Sequence, residues 1–274
     1  MSRTKRVAIL DMYQGAANEG MRCIREILQH YGAQQGIHLE VKEFEVRTRR
    51  EMADLSFDLY ISTGGPGSPI DSEGSEWEQK YFALVDHLLA YNETAAVPKK
   101  MLAICHSFQL LCRRWALGRV CLRRSPAFGV FPVHKTAAGL AEPVFQSLPD
   151  PFYIVDSRSW QVVEMNPEQL AAHGAQVLAL EKDRPHVQLE RATMAIRFNE
   201  HFLGTQFHPE ADATGMRKHL LQPEKRWQVV KEHGAEKYES MMEQLNDPDK
   251  IMRTHDHFIP AFLDEAFAIF IPST

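Results

Sequence analysis

The chain has 274 residues, 44% of them hydrophobic, and a formal net charge of −5, so it can bury one large core or one domain plus an appendage. The mild acidity, with Lys and Arg mostly scattered, excludes an electrostatic case for nucleic acid. No stretch reaches the roughly 18 apolar residues of a membrane span, and the apolar run behind the basic amino terminus ends at Asp11, too soon for a signal peptide.

In chain order, residues 6–10 (RVAIL) predict a central strand. Residues 19–31 follow as a helix with Met21, Ile24, Ile27 and Leu28 on one face. Residues 39–46 (LEVKEFEV) alternate as a strand does, residues 59–62 form a third strand, and residues 76–91 a long amphipathic helix. The apolar residues 101–104 make a fourth strand. Between Val120 and Val163 the pattern changes to short strands (130–133 and 152–155) broken by Gly and Pro, an antiparallel excursion before strands at 177–179 and 193–198. Strands alternating with helices predict a parallel sheet covered on both faces, which binds ligands beyond the carboxyl ends of its strands. The Arg-rich points at residues 47–50, Arg113-Arg114 and Arg123-Arg124 read as solvated surface.

The fourth strand runs into Cys105, after which Phe108, Leu110, Leu111, Trp115 and Leu117 recur at helical spacing. A cysteine at a sharp strand-to-helix turn meets unpaired helical amides and a dipole that favours its thiolate. Such a turn needs small neighbours two residues away on either side, here Ala103 and Ser107, which is the pattern of a nucleophile elbow. Cys23, Cys112 and Cys121 read as core residues. With no CxxC spacing among four cysteines, a reducing cytoplasm is the expected setting. None of the 13 histidines shows metal-ligand spacing, so no metal and no cofactor is expected.

The segment AICHSFQ, together with FDLYISTGGPGSP at residues 57–69 and FLGTQFHPE at residues 202–210, resembles the three signature segments of the class I glutamine amidotransferase domain, in the same order. The resemblance covers about residues 5–211 and is closest to a stand-alone domain of the kind that serves as the glutaminase of GMP synthase. It implies a flavodoxin-like three-layer α/β sandwich with a mostly parallel sheet and a nucleophile elbow. It also implies that Cys105 attacks the substrate's side-chain carboxamide, that His208 exchanges the proton with departing ammonia, and that Glu210 holds the imidazole. The oxyanion would meet the backbone amides of Gly65 and His106, while Gly64 and Gln109 would line the substrate pocket.

The departures from the family lie at Ser107 and in the stretch Asp156-Ser157-Arg158-Ser159-Trp160, where the usual histidine is missing. Arg158 and Ser159 are the expected substrate contacts there, Arg158 as a planar fork for a carboxylate and Asp156 as a partner for an ammonium group. Beyond Glu210 the spacing predicts three helices, Pro223–His233, 235–245 and 251–271, with Pro260 kinking or splitting the last. The expected organisation is therefore an amidotransferase-like domain over residues 1–211 and a helical extension over residues 212–274, packed on the sheet edge or forming a dimer contact. The expected activity is hydrolysis of the side-chain amide of glutamine or a γ-glutamyl compound through a thioester, with a separate ammonia-accepting synthase as partner. The alternative is a non-catalytic regulatory or binding subunit that keeps the fold.

Overall fold

The computed structural model describes residues 4–186 and 188–268, and of Gln228, Glu232, His233 and Pro248 the backbone alone. Strand β1 (Thr4–Asp11) leads to helix α1 (Glu19–Gln35), then β2 (His38–Glu45), β3 (Leu59–Ser62), α2 (Glu76–Asn92), β4 (Lys100–Ile104) and α3 (His106–Arg114). The long strands β5 (Arg119–Lys135) and β6 (Phe152–Val163) follow, with α4 (Ala137–Ala141) between them. After α5 (Pro167–His173) come β7 (Gln176–Glu181), β8 (Thr193–Arg197) and β9 (Phe202–Thr205). Helices α6 (Ala213–Leu220), α7 (Pro223–His233), α8 (Ala235–Gln244) and α9 (Arg253–Ala266) complete the described chain.

The sheet has the order β2-β1-β3-β4-β9-β8-β7-β5-β6. It is parallel from β2 to β9 and antiparallel from β9 onwards. The parallel strands are apolar on both faces because both faces are covered. Val7 and Ile9 of β1 point into a cluster with Ile24, Ile27 and Leu28 of α1 and Phe258 and Phe262 of α9. Ala8 and Leu10, one residue out of phase, point into the opposite cluster with Tyr81, Val85 and Leu88 of α2 and Phe108 and Leu111 of α3. Three layers result, the flavodoxin-like arrangement expected. Helix α1 is closed by local signals at both ends: the Asn18 side chain accepts from the Met21 amide, and Gly36 takes the left-handed conformation at φ 63°.

Three local expectations need correction. The excursion is not built from short strands: β5 and β6 run as one long antiparallel ribbon in which Gly129 and Pro132 stay paired, and pairing lapses only between Leu122 and Ala127, around Pro126. Helix α6 was not foreseen, although Asp212 caps it by accepting from the Gly215 amide at 2.6 Å. The last helix is not split at Pro260. It runs through that residue because Phe258, Ile259, Phe262 and Leu263 are fully buried around it, and the break comes earlier, at Lys250 (φ −95°, ψ −118°) in a π-helical turn. Of the residues expected in that helix, Ile269, Phe270 and Ile271 lie outside those described. No helix among the described residues is long and apolar enough to cross a membrane.

Candidate active site

Cys105 stands between β4 and α3 with φ 49° and ψ −97°, a backbone conformation that a non-glycine residue holds only when its surroundings impose it. Here they do. The Cys105 amide donates to Thr205 O at 2.7 Å, its carbonyl accepts from the Gln109 amide at 3.0 Å, and both neighbouring strands are buried. Ser107 is part of the clamp. Its hydroxyl donates to Thr63 O at 2.7 Å and therefore accepts from Ser62 Oγ, also at 2.7 Å, which ties the elbow to the end of β3.

That strand end continues into Gly64 and Gly65. A side chain at Gly64 would stand 2.8 Å from His208 Cε1, 3.1 Å from the Tyr13 hydroxyl and 3.4 Å from Cys105 Cβ, so the nucleophile candidate and the imidazole meet across one point that only glycine leaves open. At Gly65 the obstacle is backbone: an added Cβ would lie 2.5 Å from Met12 O. Among the described residues, the amides of Gly65 and His106 have no backbone acceptor. The Gly-rich loop is braced by side chains expected to be solvated. Arg47 donates to Pro66 O at 2.6 Å and Met12 O at 3.3 Å, and Arg113 bonds Pro69 O and pairs with Glu78 at 2.5 Å. Arg123, likewise expected at the surface, is half-buried and pairs with Glu181 at 2.9 Å. Charge runs reveal cations but not the carbonyls and carboxylates that receive them.

His208 comes from the loop after β9. Its amide donates to Val155 O of β6 at 3.0 Å and Pro209 stiffens the next bond, so the ring is set by two strands. Nδ1 bonds Glu210 Oε1 at 2.8 Å, which leaves Nε2 for Cys105. Burial alone would push this imidazole's pKa down, but the charges of Glu210 and Cys105 outweigh it and hold the pKa well above that of an ordinary histidine. Tyr13, which follows the carboxyl end of β1, was missed by the sequence reading. Burial raises its phenol pKa far up, and the nearby charges of Glu210 and Cys105 add to this, so it stays protonated beside them. Its position at a parallel strand's end was the available signal. Gln206, inside the quoted FLGTQFHPE segment, was also missed: its amide reaches Cys105 Sγ at 3.7 Å and accepts from Gln109 Nε2 at 3.0 Å.

The pocket beside Cys105 has a volume of about 310 Å³. Of the residues expected to contact substrate, Gln109, Arg158 and Ser159 border it and Gly64 does not; Gly65, Phe128, Trp160 and, from the C-terminal helices, His219, Lys225 and Val229 border it as well. Arg158 differs from expectation in what its guanidinium does. Strand β6 alternates, with Ser157 and Ser159 exposed and Asp156 and Arg158 buried. The Arg158 side chain is 1% exposed; its Nε donates to both Asp156 oxygens at 2.9 Å and Nη2 lies 3.5 Å from Glu181. Nε and Nη2 are thus turned to internal carboxylates and Asp156 is occupied by the guanidinium, while the buried Nη1 has no hydrogen-bond partner among the described residues.

Solved structures share this fold at low identity. A glutamine amidotransferase from Thermotoga maritima superposes with a TM-score of 0.67 at 14% identity, covering 96% of this chain and 97% of its own. The glutaminase domain of Trypanosoma brucei CTPS, solved with bound acivicin, gives 0.59 at 15%, covering 97% and 95%. A putative GMP synthase subunit from Thermoplasma acidophilum gives 0.52 at 13%, covering 85% and 100%. No curated protein sequence matches the chain. The sequence itself matches the family model described as Glutamine amidotransferase class-I over residues 21–226, a span that holds the elbow, the Gly-rich loop and the His-Pro-Glu segment. The chain belongs to the class I glutamine amidotransferase family.

Proposed function

We propose that the protein is a cysteine-dependent hydrolase that cleaves the side-chain amide of glutamine or a γ-glutamyl compound through a γ-glutamyl thioester. Cys105 Sγ, whose proton has already passed to His208 Nε2, attacks the amide carbon. The oxyanion is held by the free amides of Gly65 and His106, where charge develops in the transition state. Collapse expels ammonia, which takes the proton back from Nε2. Water then adds to the thioester with Nε2 as base and releases the γ-carboxylate. Glu210 keeps Nδ1 occupied, so that Nε2 is the nitrogen that moves protons. The observation that carries this reading is the meeting of Cys105 and the Glu210-held His208 at the opening left by Gly64. Similarity to the CTPS glutaminase domain and to the GMP synthase subunit supports a separate synthase as the destination of the ammonia.

A glutamine-derived electrophile tests the nucleophile. It is expected to modify Cys105 and spare the other thiols, because burial pushes Cys23 up to about 12 and Cys112 well above an ordinary thiol. Peptide mapping reads the result. Modification at Cys23, Cys112 or Cys121 instead, or none of the folded protein, would count against the reaction.

A further inference from the structure

The pocket at Cys105 is charged on one side only. Among the described residues that line it there is no Asp or Glu, while Lys225 stands in its outer wall with His219 beside it. Arg158, the other cation at the pocket, has a side chain only 1% exposed and paired with Asp156 and with Glu181, which it shares with Arg123 and Arg184. Lys225 is not a chance visitor. It lies one helical turn before Val229 on α7, so the two share a face. Val229 is buried in a cluster with Val130 of β5, Val155 of β6, Leu220 of α6 and Met241 of α8, which fixes how α7 faces the pocket. The His219 ring packs on Phe128 at 5.4 Å between centroids. Burial and the Lys225 charge both lower the His219 pKa, so this ring stays neutral and Lys225 is the cation of the wall.

A wall with an ammonium and no carboxylate attracts an anion and offers no charged partner to a cation. We infer that Lys225 is the specificity residue of the pocket, receiving the carboxylate at the far end of the substrate, and that the substrate class is ω-amides of dicarboxylates for which a free α-ammonium is not required. The contact gives Lys225 the carboxylate-binding part in place of Arg158, whose side chain is 1% exposed and turned to Asp156. The inference rests on the reaction proposed above and names its substrate class. The α-nitrogen of a glutamine would meet uncharged neighbours, such as the Ser157 and Ser159 hydroxyls.

Ammonia release from L-glutamine, from glutaramate (glutamine without its α-amino group) and from γ-aminobutyramide (an amine without the carboxylate) separates the two charged groups. Wild-type protein is expected to use glutaramate within about 10-fold of glutamine or better, and γ-aminobutyramide at least roughly 100-fold worse. Lys225→Met should raise KM for glutamine and glutaramate by roughly 10- to 100-fold with kcat nearly intact, and Lys225→Arg should recover part of the loss. A KM unchanged by Lys225→Met, or a preference for glutamine over glutaramate above roughly 100-fold, overturns the inference. Alkylation of Cys105 by iodoacetate and by iodoacetamide gives a second readout without turnover. The ratio of the two rates should fall several-fold in Lys225→Met, and an unchanged ratio again overturns the inference. If no amide is hydrolysed, the proposed reaction fails while this ratio still decides what Lys225 does.

Discussion

The parallel half of the sheet and the antiparallel half with its helices contribute to the site in different ways. From β1, β3, β4 and β9 the chain delivers Tyr13, Gly64, Cys105 and His208 directly at or just past strand ends, with Cys105 held by a backbone bond to Thr205 and His208 by one to Val155. From β5, β6, α6 and α7 it delivers the pocket wall: Phe128, Ser157, Ser159, His219 and Lys225. In the parallel half, reactive groups are placed by backbone ends, which tolerate little displacement. The wall is assembled from segments distant in sequence and is fixed by packing. The difference teaches that, on the proposed reaction, chemistry and selectivity have separate structural origins. It also separates the C-terminal helices: α9 is part of the main core through Phe258, which packs on Phe145 and Phe207, whereas α6 to α8 cover the β5-β6 ribbon in a cluster of their own.

The sharpest way to break this comparison is to remove a reactive group and look for a loss of rate alone. His208→Ala should lower kcat by roughly 10²- to 10⁴-fold with the fold kept, and Glu210→Gln by less, because orienting the base is a smaller effect than transferring the proton. Steady-state ammonia release reads both, and an unaltered kcat in His208→Ala would remove the histidine from the chemistry. The next largest effect concerns the two groups of C-terminal helices. Phe258→Ala opens a cavity against the rings of Phe145 and Phe207 and should cost about 3–5 kcal/mol, whereas Trp227→Ala on α7, where the residue is 64% exposed, should stay within about 0.5 kcal/mol. Urea unfolding measures both. Equal costs would mean that α7 and α9 are anchored alike.

The smallest expected effect is on acid stability. His106 is buried behind the elbow, its Nε2 without a partner among the described residues, and burial followed by the charges of Arg47 and Arg113 lowers its pKa to about 3. Between that value and the ordinary 6.5 the unfolded chain binds a proton that the folded chain refuses. Stability is therefore lost as pH falls through this window, the opposite of a histidine whose pKa is raised by a partner. His106→Gln should reduce the difference in unfolding free energy between pH 7 and pH 4 by about 2–3 kcal/mol. If wild type and variant lose stability in parallel over that range, the imidazole is not the group responsible.

Much of the parallel half was legible because its signals are local. The apolar runs at residues 6–10, 59–62 and 101–104 are short, two-face-buried strands, and the elbow, the Gly-Gly-Pro-Gly loop and the His-Pro-Glu segment each sit at a strand end where their spacing could be read. Other features were not. Arg47 and Arg113 looked like solvated charge until the carbonyls of the Gly-rich loop met them. The β5-β6 ribbon was read as fragments, because Pro126 and Gly129 break the pattern without breaking the pairing on either side.

By itself, then, the sequence determined the alternation of strands and helices, the sharp turn at Cys105 and the His208-Pro209-Glu210 spacing. These depend on periods of 2 and 3.6 residues and on neighbours within a few positions. Only the tertiary structure decided which way Arg158 points and what lies across from it. The pairing of Ala127 with Arg158 and of Phe128 with Ser157 sends alternate side chains of β6 to opposite faces, one towards Glu181 and one towards the pocket. A shift of one residue in that register would exchange them, and the register is set by partners about thirty positions away in the chain. The same holds for Lys225, whose place in the wall is fixed by Val229 packing on strands of the excursion.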